Sequence, residues 1–583
     1  MPTRSVRVAL LQLNPTVGDL SANAERIIQA LRTAEGQGAQ IAVTPELCLT
    51  GYPPEDLLLR PAFLRAARQT LDRIAAQTRD TVLVCGYPEL VTEAGSRPAV
   101  SGSLPAARLR NSAAILHRGR ALAGYRKIAL PNYGVFDERR YFAPGDRPTV
   151  IELRPGRGAD RTARPRSVRA AISICEDLWP EAGGAYLNTV QGSGIDLLIN
   201  LSASPFDRAK FPVRLEAMRR AARQTQAHLI HVNLVGGQDE LIFDGRSFVL
   251  DPKGRALAQG KAFQEDCLIV DVPVGSGGPD PLSPASSKPS TPARQSLLPG
   301  SDEETLAAIE LSLRDYVNKN GFASVGVAMS GGIDSALVAA IAVRALGAAR
   351  VTGVTLPSRI TSRQTLQDAV SQAKAMGIRF HQIAIAPLVS GFLKALAPSV
   401  RGTSGGAMEE NLQARVRGTL MMALSNRMGF LLLATGNKSE LATGYCTLYG
   451  DMAGGFAPLK DLSKAWVYRL ARCVNRLEGR PMIPLSVIRR APSAELKPGQ
   501  KDQDTLPPYP ELDAILEGLI EKDEDGDALI RRGRKAKWVQ DTARRVYANE
   551  YKRRQAPVGP KVTPRAFGRD RRMPITQKGG PAF

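Results

Sequence analysis

The run from Gly275 to Pro299, GSGGPDPLSPASSKPSTPARQSLLP, is built largely from Pro, Ser and Gly and has no apolar periodicity. Such a stretch cannot bury a core, so it reads as a linker or an extended surface crossing. It divides the 583 residues into two long halves. One ordinary core does not extend over so long a chain, but two large α/β domains account for it. The expected boundaries are a first domain over 1–272, a linker over 273–300 and a second domain over 301–583.

The first half alternates short apolar runs with helical patterns. The runs are 6–13, 41–47, 81–86, 112–117, 170–177, 196–204 and 228–236, with helices expected over Ala22–Ala34 and Arg208–Gln224. This alternation predicts an α/β domain with buried strands. The second half opens with an amphipathic helix over Ser301–Asn318 and a strand at 325–329. A glycine turn, a helix over Asp334–Leu346, a strand at 351–357, a helix over Ser362–Met376 and a strand near Phe380–Ile385 follow. That order is a parallel βαβαβ start, as in doubly wound nucleotide-handling sheets. The tail from Ala556, rich in Pro, Gly and Arg, is expected to wrap a surface or to order on substrate.

Composition excludes several classes. Hydrophobic residues are 43% and charged residues 23%, as in ordinary globular proteins. No apolar run approaches the ~18–20 residues that span a bilayer. Met1–Pro15 reads as a strand, not as a secretion signal, and a cytoplasmic protein is expected. The six cysteines have no paired spacing and are expected to be reduced. His228 and His231 fall in an apolar stretch and read as core, not as metal ligands. The net charge of +22 fits a nucleic-acid partner, phosphate-rich small substrates or simply a general habit of surface charge. Its densest groups, Arg531–Lys537 and Lys552–Arg572, lack the interleaved aromatics of a strand-stacking surface, so no nucleic-acid partner is expected.

Two places carry chemistry. In the second half, Ser330-Gly331-Gly332-Ile333-Asp334-Ser335 lies between a strand and a helix. Its glycines turn backbone N–H groups inward and the helix N-terminus adds partial positive charge, a setting for phosphate oxygens. Glycine turns between strand and helix are also common without any such role. The loop lacks the Gly-Lys-[Ser/Thr] ending of a Walker A motif. In the first half, Glu46, Lys127 and Cys175 each fall at a strand end. A thiol attacking an amide needs a base, and the oxyanion that forms needs a positive donor. A carboxylate, an ammonium and a thiol supply these roles without histidine. Taken alone, Cys175 reads first as a small buried hydrophobe.

SGGIDS at 330–335 resembles the pyrophosphate loop of adenine-nucleotide hydrolases, which adenylate a carboxyl or amide oxygen with ATP. The segments 357–359, 410–418, 431–445, 449–464 and 491–496 further resemble NAD synthetases. That resemblance implies a Rossmann-like doubly wound parallel sheet. It implies that Ser330, Gly331, Gly332, Ile333, Asp334, Ser335, Thr435, Lys464 and Ser493 contact ATP. It implies magnesium on Asp334 and Glu440, a hard-oxygen pair suited to that ion. Asn411, Arg415, Glu440, Tyr445, Cys446, Thr447, Leu448 and Lys552 would surround deamido-NAD. Leu448 departs from the pattern: simple ammonia-using relatives carry a lysine there, and Lys552 or Lys561 is the expected replacement.

The first half resembles the nitrilase (carbon–nitrogen hydrolase) superfamily, through PELCLTGYPPEDLL (45–58), KIALPNYGVFDERRYF (127–142) and ISICEDLW (172–179). The implied fold is an αββα sandwich. The implied triad is Glu46 as general base, Lys127 as oxyanion stabiliser and Cys175 as nucleophile. Tyr133, Ser202 and Arg208 would hold glutamine. Together the two resemblances imply a glutamine-hydrolysing NAD synthetase, with an internal ammonia channel and a homo-oligomeric state. A different adenylated acceptor, or an RNA base as substrate, are the competing expectations.

Overall fold

The computed structural model describes residues 5–91, 109–153, 167–181, 184–274, 298–400, 407–493, 497, 500 and 502–577. Most of the expected linker, 275–297, and the last part of the 491–496 segment lie outside the described residues. Two compact units emerge, Met1–Gln238 with Phe243–Pro299, and Asp239–Ile242 with Gly300–Phe583. The short insert 239–242 in the second unit is a feature that linker composition alone does not reveal.

The first unit begins with β1 (Ser5–Gln12), α1 (Leu20–Gly36), β2 (Ile41–Val43), α2 (Pro61–Ala76), β3 (Val82–Leu90), β4 (Leu109–His117) and β5 (Arg120–Arg126). It continues with β6 (Thr149–Leu153), β7 (Val168–Ile174), α3 (Gly184–Val190), β8 (Leu197–Ser202), α4 (Lys210–Thr225) and β9 (His228–Asn233). Then follow β10 (Val235–Gln238), β11 (Leu241–Asp244), whose first two residues belong to the insert of the second unit, β12 (Phe248–Leu250), β13 (Ala256–Gln259) and β14 (Asp266–Pro273). The two main sheets run β14-β1-β2-β3-β4-β5 and β13-β12-β9-β8-β7-β6.

Alternation along β1 explains the layering. Val6, Val8 and Leu10 join a core with Ile172, Leu197 and Ile199 of the other sheet. Ala9 and Leu11 face a second core with Ile27 and Leu31 of α1 and Leu71 and Ile74 of α2. Strands buried on both faces read as near-continuous apolar runs, which is why their periodicity is weak in the sequence. With α3 and α4 packed on the second sheet through Leu187, Met218 and Ala221, the unit is the expected αββα sandwich. His231 is a core residue: its Nδ1 meets Asn200 Oδ1 at 2.9 Å and its ring stacks on Phe248.

The second unit opens with α5 (Asp302–Lys319), β15 (Val325–Ala328), α6 (Ile333–Leu346), β16 (Val351–Thr355), α7 (Arg363–Met376) and β17 (Arg379–Gln382). Then come α8 (Ala386–Leu396), α9 (Ala407–Met428), β18 (Leu431–Leu433), α10 (Lys438–Thr443) and α11 (Lys464–Glu478). The helices α12 (Leu485–Arg489), α13 (Tyr509–Leu516), α14 (Gly526–Arg531), α15 (Ala536–Ala548) and α16 (Glu550–Arg553) complete it. Ser301 caps α5 through Glu304 N–H, and three acids occupy its first turn, a strong start signal. The sheet order is β17-β16-β15-β18, every pair parallel, as the βαβαβ reading requires. Among the described residues, the tail beyond Ala556 has no regular element, yet it is packed. Val558 bridges Phe456, and Asp461 accepts from the N–H groups of Val562 and Thr563 at 2.8 and 2.7 Å.

Candidate active sites

In the first unit, Glu46 follows β2, Lys127 follows β5, Cys175 follows β7 and Ser202 ends β8. Residues beyond the carboxyl ends of strands are free of ladder bonding and can turn into a site. The loop after β2 sits tight against β3. A Cβ on Gly86 would come within 2.5 Å of Pro45 O and 2.6 Å of Leu47 N, so only glycine allows the approach that sets Glu46 in place. Cys175 has φ of +41°, a strained value for a residue with a side chain, at the start of a 3-10 turn, Cys175–Leu178. Backbone strain of this kind persists where surrounding contacts over-determine it. Here Asp177 does so: its carboxylate accepts from the N–H groups of Ile174, Ile128 and Ala129 at 2.8, 3.1 and 2.8 Å. One side chain thereby ties the Cys175 turn to the segment that follows Lys127. Burial raises Asp177 to about 6, against these hydrogen bonds.

Lys127 and Glu46 are fully buried and 2.7 Å apart. Glu46 Oε1 also accepts from Asn111 Nδ2 at 2.7 Å, and its Oε2 accepts from Ala203 N–H at 3.1 Å. Lys127 has a second carboxylate, Glu138, with both oxygens 2.8 Å from Nζ. Burial works against the Lys127 charge, but Glu138 and then Glu46 outweigh it and raise its pKa well above the ordinary value. Burial raises Glu138 to about 7, opposed by Lys127. Tyr52 OH donates to Glu138 at 2.9 Å. The Cys175 thiol is pushed up by burial and next by Glu46, with Lys127 pulling the other way. It therefore rests protonated. Ser202 Oγ donates to Cys175 Sγ at 3.5 Å.

The expected glutamine residues divide. Ser202 lies against the thiol. Tyr133 is half exposed and its OH meets the Glu176 carboxylate at 3.0 and 3.1 Å. Arg208 stands in the turn before α4, while Lys210, two residues on, is a second cation, after Lys127, that acts on Glu176 and feels Cys175. Lys210 Nζ lies 4.3 Å from the centre of the Trp179 ring. Burial lowers its pKa, with Asp207 and Cys175 opposing. Glu138 and Lys210 are not singled out by the sequence, although Glu138 falls inside the quoted segment 127–142. Glu176 and Asp177 stand directly after Cys175, where the sequence offers them only as two acids that disfavour a thiolate.

In the second unit, β15 delivers the chain to Ser330 and α6 starts at Ile333. Gly331 has φ of +82°, and a Cβ there would run into the Thr365 carbonyl. Ser335 Oγ accepts from Ser330 N–H at 3.2 Å, and Ser330 Oγ accepts from Gly332 N–H at 3.1 Å. Arg490, which also lines the cavity over the loop, braces it by donating to Gly331 O at 3.2 Å and pairing with Asp368. Beside the loop, Lys464 Nζ lies 2.6 Å from Asp334 and 3.1 Å from Glu440. Burial raises Glu440 to about 7, with Lys464 opposing and Asp334 adding to the rise. Asn437 caps α10 and donates through Nδ2 to Asp334 Oδ1 at 2.9 Å.

A cavity of about 470 Å³ opens over this loop. Ser330 to Ser335, Thr435, Glu440, Lys464, Ser493, Asn411, Tyr445, Cys446, Thr447 and Lys552 all line it. Arg415 and Leu448 are not among its lining residues. They meet each other instead, Arg415 Nε donating to Leu448 O at 3.2 Å. Thr447 Oγ1 donates to Asn411 Oδ1 at 2.7 Å, and Lys552 Nζ donates to the carbonyls of Gly444 and Cys446, each at 2.8 Å. Of the two lysines expected to replace the missing one, only Lys552 reaches the cavity. Lys561 is buried on Thr563 O, Pro564 O and Asp570. Among the described residues no group of three or more His, Cys, Asp or Glu side chains could hold a metal, so any ion here would rest on two carboxylates and on substrate oxygens.

The carbon-nitrogen hydrolase family model matches residues 7–280 and the NAD synthase family model matches residues 305–556. The glutamine-dependent NAD(+) synthetase of Thermotoga maritima is 42% identical over 99% of both chains. The solved structure of the glutamine-dependent NAD+ synthetase of Acinetobacter baumannii, in complex with adenosine diphosphate, is 39% identical, covers 98% of both chains and superposes with a TM-score of 0.73. That of Cytophaga hutchinsonii is 20% identical with a TM-score of 0.79 over 98% of both chains, and bears on the fold alone. With a nitrilase-like unit and a synthetase unit matched over nearly its full length, the chain belongs to the glutamine-dependent NAD(+) synthetase family.

Proposed function

We propose that the first unit hydrolyses glutamine to glutamate and ammonia, and that the second uses ATP and this ammonia to convert deamido-NAD to NAD. The observation that carries the reading is that one chain holds both a buried carboxylate–ammonium–thiol cluster and a phosphate-loop cavity. The adenosine diphosphate carried by the relative from Acinetobacter baumannii supports ATP as the co-substrate.

Cys175 attacks the side-chain amide of glutamine, and Glu46 takes the thiol proton as the S–C bond forms. The resting thiol makes that proton transfer necessary. Lys127, held by two carboxylates, donates to the oxyanion. Ammonia leaves with the proton returned by Glu46, and Glu46 then activates water to release glutamate. Glutamine itself is a zwitterion. Glu176 with Tyr133 suits its ammonium, and Lys210 with Ser202 and Arg208 suits its carboxylate.

In the second unit, the nicotinate carboxylate of deamido-NAD attacks the α-phosphorus of ATP and pyrophosphate leaves onto Ser330–Ser335. Turned-in N–H groups and the N-terminus of α6 take its charge. Magnesium fits Asp334 and Glu440, whose carboxylates already converge on a cation, and when bound it supplies charge neutralisation at the phosphates. Ammonia then attacks the acyl carbon of the adenylate, giving NAD and AMP. It must arrive unprotonated, which calls for a path sheltered from water. Free thiols and these substrates suit the cytoplasm. Among the described residues no helix is long and apolar enough to cross a membrane. The exposed Leu388 and Phe392 of α8 suit a second copy of the chain.

The test is Cys175→Ala. Glutamine-dependent synthesis of NAD should vanish while ammonia-dependent synthesis survives. Equal loss of both, or of neither, would contradict the two-site reading.

A further inference from the structure

Asp334 and Glu440 each divide their oxygens in the same way. Asp334 Oδ2 lies 2.6 Å from Lys464 Nζ, while its Oδ1 accepts from Asn437 Nδ2 at 2.9 Å. Glu440 Oε1 lies 3.1 Å from the same Nζ, while its Oε2 accepts from Asn437 N–H at 3.2 Å. Asn437 thus fixes the two outer oxygens and Lys464 bridges the two inner ones. The Lys464 side chain is only 3% exposed, and the Tyr509 ring, with its centre 5.4 Å from Nζ, covers it. Its backbone is anchored, because it opens α11 and its N–H donates to Ser439 Oγ at 3.0 Å. Only the four-carbon arm is left to move.

A divalent cation on Asp334 and Glu440 would need the oxygens that now hold the Lys464 ammonium. A cation and an ammonium at one place repel strongly in a buried setting. Without either, two carboxylates would face each other with no counter-charge, which disfavours ionisation of both. Lys464 also lines the cavity, so phosphate oxygens bound there come within reach of its arm. We propose that Lys464 is an internal counter-ion that fills the cation place between Asp334 and Glu440 and yields it only when nucleotide phosphates draw the ammonium away. The inference rests on the reading that Asp334 and Glu440 hold magnesium. It makes metal affinity depend on nucleotide and, by linkage, nucleotide affinity depend on metal.

The full-length protein is titrated with Mn²⁺ alone, and free ion is followed by electron paramagnetic resonance. Lys464→Met should bind Mn²⁺ at least about tenfold more tightly than the wild type. Lys464→Arg, which keeps the charge, should behave as the wild type, and adding Asp334→Asn to Lys464→Met should abolish the gain. With an ATP analogue bridged by α,β-methylene, the wild type should take up Mn²⁺ as tightly as Lys464→Met does. Circular dichroism melts establish that each variant is folded, and Lys464→Gln replaces the methionine variant should that one not fold. Equal affinity of wild type and Lys464→Met for Mn²⁺ alone, with uptake by the wild type in the presence of the analogue, would overturn the counter-ion role and leave the metal reading intact. No uptake by either protein even with the analogue would overturn the metal reading and the inference with it.

Discussion

Glu138 grips Lys127 with both carboxylate oxygens at 2.8 Å, while Glu46 holds the same ammonium at 2.7 Å. The lysine therefore carries two buried carboxylates, and one of them is outside the expected triad. Removing one partner of a buried ion pair typically costs ~3–5 kcal/mol, because a charge is left uncompensated. Glu138→Gln should lower glutaminase kcat about a hundredfold, within the range for groups that position acid–base chemistry. Ammonia-dependent synthesis should be unchanged. The same carboxyl sets a pH dependence. Burial raises it to about 7, so it keeps its proton in the folded protein to higher pH than in the unfolded chain. Its contribution to stability is full below the ordinary glutamate range and is lost as pH rises through about 7. Glutaminase activity should run the other way, rising through about 7 as the carboxylate forms and holds Lys127. A profile of kcat/KM for glutamine should show this acid limb in the wild type and not in Glu138→Gln.

Lys210 is a partly buried cation facing Cys175 and Glu176, with its ammonium over Trp179. A hydrogen bond to a charged group is worth ~1.5–3 kcal/mol. Lys210→Met should raise KM for glutamine about tenfold or more. kcat should change much less, because the residue meets the substrate's head group and not the reacting carbon. Steady-state kinetics separates the two. A fall in kcat with KM unchanged would place Lys210 in the chemistry instead.

Gly331 combines a φ of +82° with a Cβ direction blocked by the Thr365 carbonyl. Gly331→Ala should strain the loop by about 1–3 kcal/mol. AMP formation with ammonia as donor should fall steeply, while glutamine hydrolysis alone survives. Thermal melts with and without ATP would show the nucleotide-induced shift disappear.

Val389 of α8 packs on the core, but two apolar residues of the same helix are exposed, Leu388 at 43% and Phe392 at 52%. Phe392→Glu should lower the oligomeric mass found by sedimentation. An unchanged mass would remove this face from the interface.

Much of the site was legible where the chemistry is local. Strand, glycine turn and helix over 325–346 follow one another in the chain, so the glycine loop and the elements that hold it can be read from local order. Glu46, Lys127 and Cys175 each follow a strand, and the strands themselves show as apolar runs. Several other features are set by distant chain segments. β1 pairs with β14, from Ser5 opposite Pro273 to Gln12 opposite Asp266, a closure that no local pattern encodes. Lys464 meets Asp334 across 130 positions, and Asp177 binds the backbone of Ile128 and Ala129 across nearly 50. Tertiary packing also set where other expected residues lie. Arg415 donates to the Leu448 carbonyl and neither lines the cavity, and Lys561 is bonded within the tail. Residue type and local order determined which groups could do the chemistry. Which of them share a buried place, and so shift one another's charge, depended on long-range burial, because desolvation acts only once distant segments have closed over them.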